Sequence, residues 1–209
     1  MKYQNFKQKT KSLPLFSTSM LSSLVKNYDV LKVQLSMWKK KGLISALRKG
    51  LYVLSREERQ IEPSLFYLAN QIFIPSYVSL ESALAYYNLI PEFVAAITSI
   101  TVRKTCKFKN EFGLFTYQHV MPECYTGFEI VQESQKIKVL MALPEKAVVD
   151  FLYLNLSKFS VLDHLIFTES YRFQNCEKLN KRKIRNYAKL FKSKKLISVS
   201  ELFIKEIIE

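Results

Sequence analysis

Along residues 29–42 apolar and polar side chains alternate with the period of a helix. Leu31, Leu35 and Trp38 fall at i, i+4 and i+7, which predicts a helix of about three turns with one buried side. Asp29 is placed to cap its start and Gly42 to end it. Lys32, Val33, Ser36, Lys39 and Lys40 fall on the other, outward side, which reads as mostly positive. After Gly42 the pattern changes to short apolar runs. Residues 43–54 predict two strands joined by a tight turn at Arg48, Lys49 and Gly50, where glycine tolerates a positive φ.

Upstream, residues 2–12 carry Tyr3 and Phe6 among Lys and Gln and predict a first helix that ends before Pro14, with Leu13 as a further apolar point. A second helix follows, capped by Ser17 or Thr18, with Met20, Leu21, Leu24 and Val25 as its apolar stripe. Asn27 and Tyr28 make the turn to the third. Helix, turn, helix, glycine and a hairpin with a basic tip is the order of a winged helix-turn-helix, in which the second helix of the pair enters the major groove and the hairpin tip meets phosphate. An amphipathic helix on a hairpin with merely solvated lysines fits the same stretch.

Beyond residue 54, residues 55–58 have capping-box spacing, and Pro63 suits a first helical position for Leu65, Phe66, Ala69, Ile72 and Phe73. A domain boundary is expected near residue 60, dividing a DNA-binding unit, 1–60, from a larger one, 61–209. A helix over 80–87 has Ser79 at its start and Pro91 beyond its end. Residues 97–102 and 112–120 are β-branched and aromatic and predict strands, with an edge strand or loop at 103–109. A strand pair at 128–131 and 137–142 precedes a helix at 144–154 that has proline in its first turn. From residue 160 onward the period is helical to the end. The expected class is α+β: an N-terminal winged helix-turn-helix, an α+β body over 61–155 and a basic helical part over 156–209.

Composition sharpens this picture mainly through charge. Hydrophobic residues at 48% and aromatics at 13% describe a folded chain of 209 residues, and only 4 Gly and 6 Pro leave little room for long flexible linkers. The net charge of +14 is concentrated at two places, with 13 Lys/Arg against 3 acids over residues 1–60 and 10 against 1 over residues 171–195. The intervening stretch is close to neutral. Such blocks attract polyanions at long range and lose that attraction in salt. No apolar run approaches the length of a spanning helix, and the first fifteen residues hold four lysines without a signal-like apolar core. Three cysteines, Cys106, Cys124 and Cys176, without CxxC spacing fit reduced thiols. A cytoplasmic protein is therefore expected, with no membrane partner.

Several words of the sequence together resemble one family. They are RKGLY at 48–52, PSYVSLESAL at 75–84, LIPE at 89–92, TSIT at 98–101, GLFTYQH at 113–119 and LPEKAVVD at 143–150. In this order, from about residue 15 to residue 155, they look like the AbiEi antitoxins of bacterial type IV toxin–antitoxin systems. The C-terminal third is only generally similar. The resemblance implies an N-terminal winged helix that represses its own operon by binding inverted repeats in double-stranded DNA. It also implies a C-terminal domain that counters a nucleotidyltransferase toxin without forming a stable complex with it. By position it gives DNA contact to Lys32, Ser36, Lys39 and Lys40 on the helix and to Arg48 and Lys49 on the hairpin.

Candidate chemistry elsewhere is sparse. His119 with Cys106 and Cys124 matches no zinc spacing, His164 stands on a different predicted element, and there is neither a phosphate-binding glycine loop nor a nucleophile elbow. No metal, cofactor or catalytic residue is expected. Glu129, Glu133, Lys136, Lys138, Glu145, Lys146 and Asp150 are the residue types of a metal-dependent nuclease. The preferred reading makes Glu145 and Lys146 the start of a helix and Asp150 a solvated or capping residue. Tyr77, Tyr86, Tyr87, Phe112, Phe115 and Tyr117 are expected in the core. Arg103 and Lys104, with Lys181, Arg182, Lys183 and Arg185, are candidate further contacts to nucleic acid or to an acidic partner. The last four belong to a basic stretch, continuing through Lys189, Lys192, Lys194 and Lys195, whose charges cover more than one side of a helix. A stand-alone transcriptional regulator with a ligand- or partner-sensing C-terminal domain is the alternative to an antitoxin.

Overall fold

A computed structural model describes residues 2–22, 27–91, 95–134, 137–159 and 166–208. The fold is mixed α+β. Three helices come first: α1 (Tyr3–Thr10), α2 (Thr18–Ser22) and α3 (Tyr28–Lys40). Leu31, Leu35 and Trp38 are buried as their spacing predicts. The cap of α3 differs from expectation. Asn27, not Asp29, accepts hydrogen bonds from the amides of Asp29 and Val30 at 2.9 and 3.2 Å, while Asp29 pairs with Lys32 on the surface. The other end closes as expected at Gly42, whose φ is +69°. The Gly42 amide donates to Lys39 and the Leu43 amide to Trp38, satisfying carbonyls of the last turn. On α2, Ser17 Oγ accepts from the Met20 amide, Leu21 is buried, and Met20 is exposed rather than part of an inward stripe. Leu24 and Val25 lie outside the described residues.

Strands β1 (Phe16–Ser17), β2 (Ile44–Arg48) and β3 (Leu51–Leu54) form an antiparallel sheet in the order β1-β3-β2. Gly50 sits in the turn between β2 and β3 at φ +80°. Alternation along β3 divides this sheet between two cores. Leu54 and half-buried Tyr52 join Phe6, Phe16, Leu21, Leu31, Leu35, Trp38 and Ile44 in the smaller core, while Leu51 and Val53 face the larger one with Leu15 and Leu47. Aromatic packing fills the smaller core, with Phe6 and Trp38 ring centroids 4.5 Å apart and Tyr3 against Trp38 at 5.4 Å.

The capping-box residues 55–58 make turns rather than a helix, and Pro63 lies ahead of the next one. There Ser64 caps α4 (Leu65–Ile72) by accepting from the Tyr67 amide. A six-stranded mixed sheet follows, in the order β6-β7-β5-β4-β9-β8. Its strands are β4 (Tyr77–Val78), β5 (Ala96–Thr101), β6 (Cys106–Asn110), β7 (Gly113–His119), β8 (Phe128–Ser134) and β9 (Ile137–Ala142). The basic stretch after Arg103 thus forms the edge strand β6.

Strand alternation places helices on both faces. Val78, Ser99 and Tyr117 share one face by register, and the Tyr117 hydroxyl donates to the Ala69 carbonyl of α4. Tyr77 points to the opposite face, which holds α5 (Leu80–Tyr86) and α6 (Pro144–Leu154). Phe115 is buried as expected, Tyr87 and Phe112 are half-buried, and Tyr86 is 42% exposed, a correction to its placement in the core.

The C-terminal region is not one run of helix. A π-helical segment (Ile166–Ser170) and an irregular stretch precede α7 (Lys181–Leu190), and α8 (Lys194–Phe203) runs into a second π-helical segment (Ile204–Ile208). Lys192, at φ +53°, breaks the helix, and Ser193 caps α8 by accepting from the Leu196 amide. The basic block therefore spreads around a helix–helix corner, which is why its charges cover more than one side.

Candidate nucleic-acid interface

Helix α3 is held by its inner face, which leaves its outer half to solvent. At about 100° per residue, Lys32, Ser36, Lys39 and Lys40 occupy a sector roughly 100° wide. All four are exposed. The ammonium of Lys32 lies 3.1 Å from Asp29 Oδ1 and 4.5 Å from the Tyr28 ring centroid. Exposed ion pairs of this kind contribute little, so Lys32 exchanges Asp29 for another anion at small cost.

Beside this sector runs a second one of different character. Val30, Val33 and Met37 fall within about 60° of one another. They are 49%, 60% and 48% exposed, too open for core residues at helical spacing. The outer surface of α3 is thus split into a basic stripe and an apolar stripe, and the expectation of a mostly positive face holds for one half of it. Val33 is expected outside from the sequence, and Val30 and Met37 follow from the same 3.6-residue period.

The hairpin tip is tied to the end of α4. Arg48 Nε donates to the Ile72 carbonyl at 2.6 Å and Nη1 to the Lys49 carbonyl at 3.1 Å. Nearby, Arg103 Nη1 donates to the Ile74 carbonyl at 3.1 Å, and its guanidinium covers the Phe73 ring at 4.7 Å. Asn110 Nδ2 donates to the Leu47 carbonyl, joining edge strand β6 to β2. Arg48, Lys49 and Arg103 therefore line one cleft of 460 Å³ together with Ile72, Phe73, Ile74 and Phe108, and among the described residues no carboxylate lines it. Lys104 is exposed beside it. Arg48 and Arg103 are far apart in the sequence; their meeting depends on the Ile72 and Ile74 carbonyls, which carry no sequence signature.

The remaining candidates sit on α7, against α6 and α8. Arg182 and Lys183 are exposed and Lys181 is half-buried. Lys183 Nζ is 3.9 Å from Glu145 Oε2. Arg185 is engaged in a bidentate pair with Glu201, whose carboxyl is held below its ordinary range by those hydrogen bonds. Of this group, Arg182 and Lys183 are the more available for a partner.

Asp150 is neither solvated nor a cap, which overturns the expectation for it. Its side chain is fully buried, ion-paired with Lys146 one turn earlier, and accepts hydrogen bonds from the hydroxyls of Tyr77 at 3.0 Å and Ser79 at 2.9 Å. Lys146, equally buried, donates to Tyr77 Oη at 3.0 Å and lies over the Phe191 ring. Burial pushes the Asp150 carboxyl up from its ordinary value, opposed by Lys146 and by the two hydroxyls. Ser79, expected to cap α5, spends its hydroxyl here instead. Four polar groups thus satisfy one another inside the protein, tying β4, the start of α5 and α6 together. Glu145 is also buried and accepts from the Asn180 amide at 3.1 Å.

His119 Nδ1 lies 3.1 Å from the Arg103 carbonyl at an exposed strand end, while His164 and Lys136 lie outside the described residues. Among the described residues no group of three or more His, Cys, Asp or Glu is placed to hold a metal, and no helix is long and apolar enough to cross a membrane. No family model and no curated protein matches the chain.

Proposed function

We propose that this chain is a cytoplasmic DNA-binding repressor and antitoxin of the AbiEi kind. In this reading residues 1–60 act as a winged helix-turn-helix on an inverted-repeat operator, and residues 61–209 counter a nucleotidyltransferase toxin without a stable complex. The observation that carries the DNA half is the outer surface of α3, where Lys32, Ser36, Lys39 and Lys40 stand exposed on a helix fixed from behind by Leu31, Leu35 and Trp38. The cleft lined by Arg48, Lys49 and Arg103 supports it with further cations suited to phosphate. The antitoxin half rests on the resemblance of the words between residues 48 and 150.

Fluorescence anisotropy on the duplex upstream of the chain's own gene, against a scrambled duplex at several salt concentrations, tests the first half. Binding about a thousandfold or more tighter to the first is expected. Lys39→Glu with Lys40→Glu abolishes it while leaving the circular dichroism unchanged; retained binding places the DNA site elsewhere. The same full-length variant is expected to keep neutralising a toxin encoded beside it. Keeping the chain whole matters, because Leu47, Leu51 and Val53 complete the larger core and truncation at residue 61 removes them.

The 460 Å³ cleft also favours a second reading, a regulator whose larger unit senses a small anionic ligand. A toxin gene adjoining this one decides against it.

A further inference from the structure

The apolar stripe of α3 has no role in the phosphate contacts assigned to the lysines. Val30, Val33 and Met37 are about half exposed or more, at a spacing that puts them on one line along the helix. Inward-facing Leu31, Leu35 and Trp38 already satisfy the core, so the stripe is not needed to hold the helix. Three apolar side chains exposed together on a 13-residue helix mark a contact surface. Its neighbours decide the class of partner. Lys32, Lys39 and Lys40 run along one edge of it on the same helix. An apolar stripe beside a cationic one complements an object that sets apolar groups beside anionic ones. A major groove that presents thymine methyl groups beside a phosphate rail is such an object.

We infer that Val30, Val33 and Met37 are specificity-determining residues that read thymine methyls, so that the sequence bound by this chain carries thymines where α3 lies. This rests on the DNA-binding reading above and adds what that reading leaves open, the base that is recognised. The lysines supply affinity that is nearly independent of sequence, and the stripe supplies discrimination.

The test removes the methyl and leaves base pairing intact. Wild-type protein is titrated by anisotropy onto the duplex upstream of its gene and onto the same duplex with every thymine replaced by uracil. Burying one methyl is worth about fourfold in affinity, so two or three contacts give a loss of about tenfold or more with uracil. In Val33→Ser with Met37→Gln the thymine-to-uracil ratio falls toward one. This comparison separates methyl contact from any change in duplex shape, which the variant feels equally. If that variant fails to fold, Val33→Ser alone takes its place in the same comparison. Site-specific binding with equal affinity for both duplexes overturns the inference and leaves DNA binding standing. So does a uracil penalty that persists undiminished in the folded variant. Absence of any site-specific binding overturns the reading beneath it. A wild-type dimer in sedimentation that the variant converts to a monomer, with no uracil penalty, assigns the stripe to a second copy of the chain and overturns the inference as well.

Discussion

Replacing Asp150 by Asn removes one charge from the interior and almost nothing else. Asn is close to isosteric and its side-chain oxygen still accepts from Tyr77 and Ser79, so the lost element is the counter-ion of Lys146. The ammonium is then buried without an opposite charge, and breaking a buried pair in this way costs about 3–5 kcal/mol. For a chain of 209 residues this corresponds to a fall in Tm of roughly 6–20 °C.

Urea unfolding followed by circular dichroism at pH 7 measures the loss. Lys146→Met with Asp150→Asn removes both charges and is expected to recover most of the loss, since neutral replacement of a buried pair is often harmless. A loss under about 1 kcal/mol at pH 7, or no recovery in the double variant, would show that the pair is not the charge-compensated unit described above.

Two further outcomes follow from other groups. Asn27→Ala deletes the cap of α3 and is expected to cost about 1 kcal/mol, read through the fluorescence of Trp38, the single tryptophan, which packs in the smaller core on that helix; an Asp29→Ala variant with the larger loss would return the cap to Asp29. Burial pushes the phenols of Tyr87 and Tyr125 up to about 12, and those of Tyr77 and Tyr117 further. Because the unfolded chain gives up these protons near pH 10, stability is intact below pH 10 and falls as pH rises toward 12. Absorbance of the last-titrating tyrosines should then appear together with loss of circular dichroism, and a complete titration near pH 10 in a folded protein contradicts it.

What could be read from the sequence is what depends on neighbours within a few turns. The inner face of α3 was legible because Leu31, Leu35 and Trp38 recur at the helical period and a single amphipathic face has one way to be buried. Its cap was ambiguous, since Asn27 and Asp29 are both capping residues and the choice depends on where the chain enters the helix. The break between α7 and α8 had a local signal in Ser193, but strong helical periodicity on both sides masked it. Asp150 belongs to a different category. Its two hydroxyl donors are 73 and 71 residues away, brought to it only when β4 and α5 dock on α6, so a solvated carboxylate and a buried one have the same local sequence. Arg48 is turned by a carbonyl 24 residues on, for the same reason. The outer surface of α3 lies between these cases. Its period is legible, but a single net charge for that face hides the boundary along which Val33 and Met37 run beside Ser36 and Lys40. On the DNA-binding reading proposed above, that boundary separates attachment from recognition, because phosphates are alike along a duplex whereas thymine methyls mark particular sites.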